Sequence, residues 1–460
     1  MTGHQHQNQN SSAAADQGTR GVVIIGGGQA GLQAAASLRS EGFTGQVTIV
    51  AEEPGLPYQR PPLSKDYLKA RLTDGSDGAD GSDGADGSDG ADGSAGTSAS
   101  PLPLRGEAFF AEQEIELLAG TVATSVDRQA KIVTLADGTV LGYDSLVFAT
   151  GARNRELPTP GIDLPGIHGL RTLADAEQLG AALDTAKNVV VVGAGFIGLE
   201  FATAALARGC QVTVLEFAPR PMGRALTPLL GDWFAGAHRD LGIDLRLNEG
   251  IASFEAGDDG RVALAVSTTG DRYPADLVVA GVGVQPNDQL AAATGLETAN
   301  GIVVDARLRT VDPDIYAIGD CAAFPCVHAG GPFRLESVQN ATDQARHVAK
   351  VILGADETYE DLPWFWSTQG PFRLQMANIV RADDETVVVG DADPAHPKFS
   401  VLCFRDGILA AVESVNMPSD HLSARKILAA GLEITREEAL SAGFSLRAAY
   451  KERTQPAAVV

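Results

Sequence analysis

Val22-Val-Ile-Ile-Gly26-Gly-Gly28-Gln-Ala30-Gly31 and, 167 residues later, Val189-Val-Val-Val-Gly193-Ala-Gly195-Phe-Ile197-Gly198 are the two stretches on which the fold turns. In each, four β-branched residues run into glycines spaced G-x-G-x-x-G and then into an Ala/Leu-rich segment. The pattern reads as strand, tight turn, helix. The first glycine makes the turn, the second admits a pyrophosphate, and the third lets the helix pack on the strand. The helix N-terminus then faces the anion. A second β-branched strand follows each copy, at Gln46–Ala51 and Gln211–Glu216, which completes two βαβ units. An acidic residue at the end of that strand suits a ribose. Glu52, with its neighbour Glu53, fills the place in the first unit, and Glu216 fills it in the second. A carboxylate accepts from ribose hydroxyls and repels a 2′-phosphate, so the second unit favours NAD over NADP; the nearby Arg220 softens that preference. Two fingerprints imply two bound dinucleotides.

Working outward, Tyr143–Ala149 reads as a strand ending in Ala149-Thr150-Gly151, Asp276–Val284 as one ending in Gly281-Val-Gly283, and Ile315–Ile318 as one ending in Gly319-Asp320. Near the C-terminus, Thr386–Val389, Phe399–Phe404 and Ile408–Val415 read as antiparallel strands followed by helices. The expected fold class is α/β, with two Rossmann-like dinucleotide-binding domains and a C-terminal α+β domain. The boundaries expected are a disordered tail over 1–18, a first dinucleotide-binding domain over 19–155 and 283–355, a second, NAD-binding one over 156–282, and the C-terminal domain over 356–460. Within the first domain, 73–100 forms a flexible Asp/Gly/Ser insert. With 44% apolar residues and 52 glycines in 460 residues, the chain can fill such cores and supply the close helix–sheet contacts they need.

Composition narrows the function. The net charge of −24 speaks against nucleic acid or an anionic membrane as a partner. The N-terminal residues are polar and contain no apolar core of a secretory signal; His4 and His6 there are read as solvated rather than metal-binding. Val189–Ala207 is apolar enough to suggest a membrane span. It contains Glu200 and three fingerprint glycines, so strand, turn and helix explain it better. The insert repeats Asp-Gly-Ser-Asp-Gly-Ala and has no apolar residue larger than Ala to build a core. Its aspartates lack the period of calcium-binding repeats, and no metal site is expected. Four cysteines (Cys210, Cys321, Cys326, Cys403) make no disulfide framework and fit a cytoplasmic protein with reduced thiols.

The order of first fingerprint, Ala149-Thr150-Gly151, second fingerprint and Ile318-Gly319-Asp320 resembles the FAD-dependent pyridine nucleotide oxidoreductases. Three further stretches resemble, within them, the putidaredoxin reductase-like ferredoxin reductases of oxygenase systems: Pro57-Tyr-Gln-Arg60-Pro61-Pro62-Leu63-Ser64-Lys65, Arg334-Leu-Glu336-Ser337-Val338-Gln-Asn340-Ala341 and Pro363-Trp364-Phe365-Trp366-Ser367. The resemblance spans about Gly21 to Arg447 apart from the insert. It implies FAD at the first unit, with Gly26, Gly28, Ala30 and Gly31 at the pyrophosphate and Glu52 at the adenosine ribose. Lys65 would lie beside the reactive edge of the flavin ring, Ala123 at the adenine, Ala149, Thr150 and Gly151 along the cofactor, and Arg171 at the domain junction. Asp320 would bond the ribityl chain, and the backbone N–H of Val338 the pyrimidine edge, where a helix dipole favours negative charge. NADH would bind the second unit through Gly193, Gly195, Ile197, Gly198 and Glu216, with Glu200 near the nicotinamide. Lys65 and Glu200, taken as the catalytic pair, are expected to form an ion pair there.

Disulfide-reducing relatives carry a C-x4-C pair near the first unit. Here Pro54–Leu68 has no cysteine, while Cys321 and Cys326 have that spacing just after Asp320 and are read as structural thiols. Electrons must therefore leave for an outside acceptor. The resemblance implies a two-iron two-sulfur ferredoxin, and a monomer or weak homodimer. Arg60, Lys69, Arg71 and Arg334 are candidates for a basic docking face, and Trp364 and Trp366 lie either near the flavin or in an interface. The Trp366-Ser367-Thr368-Gln369-Gly370 stretch departs from the family's more usual Asp then Gln-Tyr. The alternatives are a rubredoxin reductase or NADH oxidase on the same scaffold, or a signalling flavoprotein resembling apoptosis-inducing factor.

Overall fold

The computed structural model describes residues 21–69 and 103–454. The N-terminal tail, the whole Asp/Gly/Ser insert, and Arg71 lie outside those residues. The first fingerprint forms strand β1 (Gly21–Ile25), helix α1 (Gln29–Ser40) and strand β2 (Gln46–Ala51). Together with Ile115–Ala119, Ser145–Phe148 and Ile315–Ala317 they build a five-stranded sheet whose pairings are all parallel. The strand order reverses between β1 and Ser145–Phe148, so a crevice opens at their C-terminal ends, where ligands of such sheets bind.

The second fingerprint repeats the plan as β3 (Asn188–Val192), α2 (Phe196–Ala207) and β4 (Gln211–Glu216), followed by α3 (Pro228–Asp240) and β5 (Leu277–Ala280). With Asp244–Leu247 and Ile167–His168 this is a second parallel five-stranded sheet, reversing between β3 and β5. The stretch suspected as a membrane span is thus a buried strand and a 12-residue helix. Among the described residues, no helix is long and apolar enough to cross a membrane. One face of this sheet packs on α2 and α3. The other packs on an antiparallel meander through Phe254, Val262 and Ala265.

Helix α4 (Val338–Ile352) lies against α1 and returns the chain to the first sheet. A third sheet follows, antiparallel throughout: β6 (Trp364–Gln369), β7 (Phe372–Ala377), β8 (Glu385–Asp391), β9 (Lys398–Arg405) and β10 (Ile408–Val415), in the order β6-β7-β10-β9-β8. Helix α5 (Pro418–Ala429) covers one face. On the other, Phe372 and Phe399 meet Trp233 and Phe234 of α3 edge to face at centroid distances of 5.0–6.1 Å. The second and third sheets therefore share one core. β6, which carries the tryptophans, was read in the sequence as a motif rather than as a strand, and β7 was not read there.

Candidate functional site

The two fingerprint turns are stereochemical copies. Gly26 has φ +123°, and a Cβ there would sit 2.1 Å from the Ala149 carbonyl oxygen; Gly193 has φ +100°, and its Cβ would sit 2.5 Å from the Gly281 oxygen. A Cβ on Gly31 would fall 1.9 Å from the Gly26 oxygen, and one on Gly198 would fall 2.2 Å from the Gly193 oxygen. These are distances no side chain tolerates. By contrast, Gly28 and Gly195 have nothing within 4 Å of the Cβ direction. Each is the N-cap of its helix and offers no capping side chain, so the first N–H groups of α1 and α2 are left for a ligand.

A cavity of about 1050 Å³ runs along the crevice of the first sheet to the junction with the second and third. Gly26, Gly28, Ala30, Glu52, Lys65, Ala123, Ala149, Thr150, Gly151, Arg171, Asp320 and Val338 all line it, as do Ile197 and Glu200 from α2. Gly31 does not; it is the packing glycine beneath the turn. Gly193, Gly195, Gly198 and Glu216 also lie off this cavity, at the separate crevice of the second sheet. An extended, roomy crevice with an uncapped helix end, a glycine open to the site and an exposed carboxylate, Glu52, at its far end fits a dinucleotide carrying an adenosine and a larger ring system.

At the inner end, the Pro61–Ser64 turn of 3₁₀ helix delivers Ser64 and Lys65 to α2. Lys65 Nζ pairs with Glu200 Oε2 at 2.8 Å and donates to the Pro61 carbonyl at 3.1 Å. Glu200 is 4% exposed. It also accepts from Ser64 Oγ at 2.5 Å and from Ser367 Oγ of β6 at 2.6 Å. Gln369 Nε2 backs Ser367 at 3.1 Å. A buried carboxylate is tolerable only when so fully satisfied. Ser64 and Ser367 were not singled out in the sequence, although both stand inside the quoted motifs.

A second polar chain braces the junction. Arg171 pairs with Asp320 at 2.8 Å and donates to the Ala152 carbonyl at 2.9 Å. Arg60 pairs with Glu53 and donates to the Arg171 carbonyl at 2.9 Å. Tyr58 OH donates to Glu53 at 2.5 Å and accepts from the Leu173 N–H at 2.9 Å. Burial, then that carboxylate, push the phenol up to about 12. Asn287 clasps Thr150 by two hydrogen bonds of 2.6 and 2.9 Å, a contact with no signal in the sequence.

Two of the four residues considered for a basic docking face are engaged by carboxylates, while Arg71 and the side chain of Lys69 lie outside what the structure describes. Arg60 is consumed by Glu53 and stacks on Tyr58. Arg334 is 7% exposed in its side chain, bonds the Asp320 carbonyl at 3.0 Å and pairs with Glu336. Arg334 is therefore an internal brace, whereas Arg60 is paired but keeps 34% of its side chain exposed. Of the two tryptophans, only Trp366 lines the cavity. Trp364 stacks on it at 5.5 Å, and Arg425 lies 4.0 Å above Trp364. Cys321 and Cys326 are buried free thiols, both pushed up by burial, as are the other two cysteines. Among the described residues, no cluster of three or more His, Cys, Asp or Glu could hold a metal.

Residues 20–345 match the family described as pyridine nucleotide-disulphide oxidoreductase, and residues 364–450 match that described as reductase C-terminal. The chain belongs to the pyridine nucleotide-disulphide oxidoreductase family. Within that family it is similar to rhodocoxin reductase of Rhodococcus erythropolis, 46% identical over 93% of this chain and 94% of that protein. Among solved structures it is similar to the ferredoxin reductase for the CYP199A2 system from Rhodopseudomonas palustris, with TM-score 0.85 and 43% identity over 94% of this chain and all of that one. It is also similar to the covalent putidaredoxin reductase–putidaredoxin complex, with TM-score 0.85 and 34% identity over 95% and 99% of the two chains. As a pyridine nucleotide-disulphide oxidoreductase, the chain is an FAD-dependent enzyme that uses NAD(P)H. The C-x4-C dithiol position of the family's disulfide-reducing members, Pro54–Leu68, has no cysteine.

Proposed function

We propose that this protein takes hydride from NADH at the second crevice and passes electrons one at a time from the first to a two-iron two-sulfur ferredoxin serving an oxygenase or a haem monooxygenase. It would act in the cytoplasm as a monomer or weak homodimer. The observation that carries the reading is the Lys65–Glu200 pair, set where one cavity touches both fingerprint helices.

FAD, when bound, supplies a ring that accepts two electrons as hydride and releases them singly. Around it the chain's own groups orient and polarise. Gly26, Gly28, Ala30 and the N-terminus of α1 would hold the pyrophosphate, Glu52 the adenosine ribose, and the backbone of Ala123 the adenine. Ala149, Thr150 and Gly151 form the wall, with Thr150 held rigid by Asn287. Asp320, oriented by Arg171, presents an acceptor to the ribityl chain. The N-terminus of α4 is capped by Ser337, which accepts from the Asn340 N–H, so the N–H of Val338 and the helix dipole face the cavity and favour negative charge there. Glu200, fixed by two serines, holds the Lys65 ammonium in the cavity wall. Phe196, Ile197, Phe365 and Trp366 exclude water beside it. The protein's contribution is thus positioning and a preset field. In the second crevice Gly193, Gly195 and the N-terminus of α2 would take the NADH pyrophosphate and Glu216 its ribose.

The absence of a dithiol supports an external acceptor, and the relatives named as ferredoxin, rhodocoxin and putidaredoxin reductases support a small redox protein in that role. The test is a panel of purified ferredoxins with NADH, followed by cytochrome c reduction. Turnover that depends on one ferredoxin upholds the proposal. Equal rates with rubredoxin or oxygen overturn the choice of partner. Failure of NADH to bleach the flavin without air overturns the whole.

A further inference from the structure

Phe217 is 80% exposed, more than any other large apolar residue described. Its position is not that of a loose surface ring. In the β3–β4 pairing Val192 stands opposite Leu215, so Phe217, two residues on, lies level with Ala194 in the fingerprint turn. The Glu216 carboxylate accepts from the Ala194 N–H at 2.7 Å and from the Ala218 N–H at 2.8 Å, which pins the backbone on both sides of the ring. Gly250 lies against the ring: a Cβ there would be 3.3 Å from Phe217 Cδ2 and 3.7 Å from Phe217 Cβ. Gly250 is itself held by Thr268, whose Oγ1 accepts from the Gly250 N–H at 3.1 Å and whose N–H donates to the Gly250 carbonyl at 2.8 Å. One side of the phenyl ring is therefore supported by rigid backbone, while most of its surface is open at the C-terminal edge of the second sheet. The open face is flat and apolar, held by backbone on one side and free to receive a planar ring on the other. Arg220, a candidate cation for a 2′-phosphate, is paired with Asp232 at 2.9 Å.

We propose that Phe217 is the platform on which the adenine of the dinucleotide stacks, with the Glu216 carboxylate at the adjoining ribose. The adenosine half is thereby recognised through an aromatic face rather than through a phosphate-binding cation. This rests on the assignment of NADH to the second fingerprint. Every purine offers a π-face, so the contact needs no directed bond to the base and leaves the carboxylate to read the ribose.

The flavin-loaded enzyme and its Phe217→Ala and Phe217→Tyr variants are titrated with ADP-ribose by calorimetry, a measurement independent of turnover. Phe217→Ala is expected to weaken ADP-ribose by about tenfold, the usual scale for loss of a base–aromatic stack, while Phe217→Tyr keeps it within about twofold. The KM for NADH should rise by a similar factor relative to that for reduced nicotinamide mononucleotide, which has no adenine. Should Phe217→Ala fold poorly, saturation transfer from wild-type aromatic protons to the adenine H2 and H8 of ADP-ribose gives the same answer. Unchanged ADP-ribose affinity in Phe217→Ala, or no such transfer in the wild type while ADP-ribose binds, overturns the proposal. A wild-type enzyme that binds no ADP-ribose at all instead overturns the assignment beneath it.

Discussion

At the scale of the residue, Glu200 organises the site. Its two oxygens collect an ammonium and two hydroxyls from two elements: Ser64 and Lys65 on one turn, and Ser367 on β6. Glu200→Leu strands Lys65 and both serines in a place closed to water. It is expected to lower the unfolding free energy in urea by about 3–5 kcal/mol, the cost of removing one partner of a buried pair. Lys65→Met leaves Glu200 its two hydroxyl donors and should fold with full flavin content. The ammonium then no longer marks the place of the ring, and misplacement of reacting groups by about 1 Å is worth roughly 10² in rate. Anaerobic stopped-flow bleaching by NADH should slow to about that extent. An unchanged rate would leave Lys65 with only a structural role.

At the scale of the element, the fingerprints differ in function but share one steric rule. In both, the third glycine brings a helix so close to its strand that a methyl group would overlap a carbonyl oxygen. Overpacking of this kind commonly costs about 1–3 kcal/mol and shifts backbone. Gly31→Ala should therefore release the flavin, visible as loss of visible absorbance on purification. Gly198→Ala should keep the flavin yet respond weakly to NADH, read as a raised KM in bleaching. The helix ends follow the same logic. Thr172 and Thr435 cap their helices with full capping boxes, whereas α1 and α2 start at bare glycines. α1 and α2 thus keep their first N–H groups free of side-chain caps at the ends that face the proposed nucleotides.

At the scale of the whole molecule, the third sheet is locked to the second through two buried titratable groups, Glu413 and His238. Glu413 of β10 is fully buried; its carboxylate accepts from the Thr227 N–H at 2.9 Å and from Thr227 Oγ1 at 2.5 Å, at the N-cap of α3. Burial pushes this carboxyl up to about 7 from 4.5. His238 on the same helix is pulled down by burial to about 4. The signs oppose. Because the folded state holds the Glu413 proton more tightly, its contribution is full below pH 4.5 and is lost as pH rises toward 7. The folded state refuses the His238 proton, so stability from that group is lost as pH falls from 6.5 to 4. Glu413→Gln removes the first slope only. Its stability relative to the parent should climb between pH 4.5 and 7 and then level, by up to about 3 kcal/mol, as read from urea midpoints at several pH values. A difference that does not vary with pH would refute the shift.

The sequence by itself determined the two βαβ units, because glycines at that spacing between β-branched runs have one low-energy arrangement. The family resemblance carried by its motifs supplied residues expected at the first crevice, and the structure brings them to the wall of one cavity. Glu200, Lys65 and Asp320 were legible in the same way. Only the tertiary structure decided that Ser64 and Ser367 meet on Glu200 across separations of 136 and 167 residues. It alone revealed Asn287 behind Thr150, paired Arg60 with Glu53, buried Arg334 beside Glu336, and left Phe217 bare on its glycine support. The physical reason is one of range. Backbone stereochemistry is settled by neighbours in the chain, whereas the satisfaction of a buried charge and the exposure of a ring depend on which distant elements come to lie beside them.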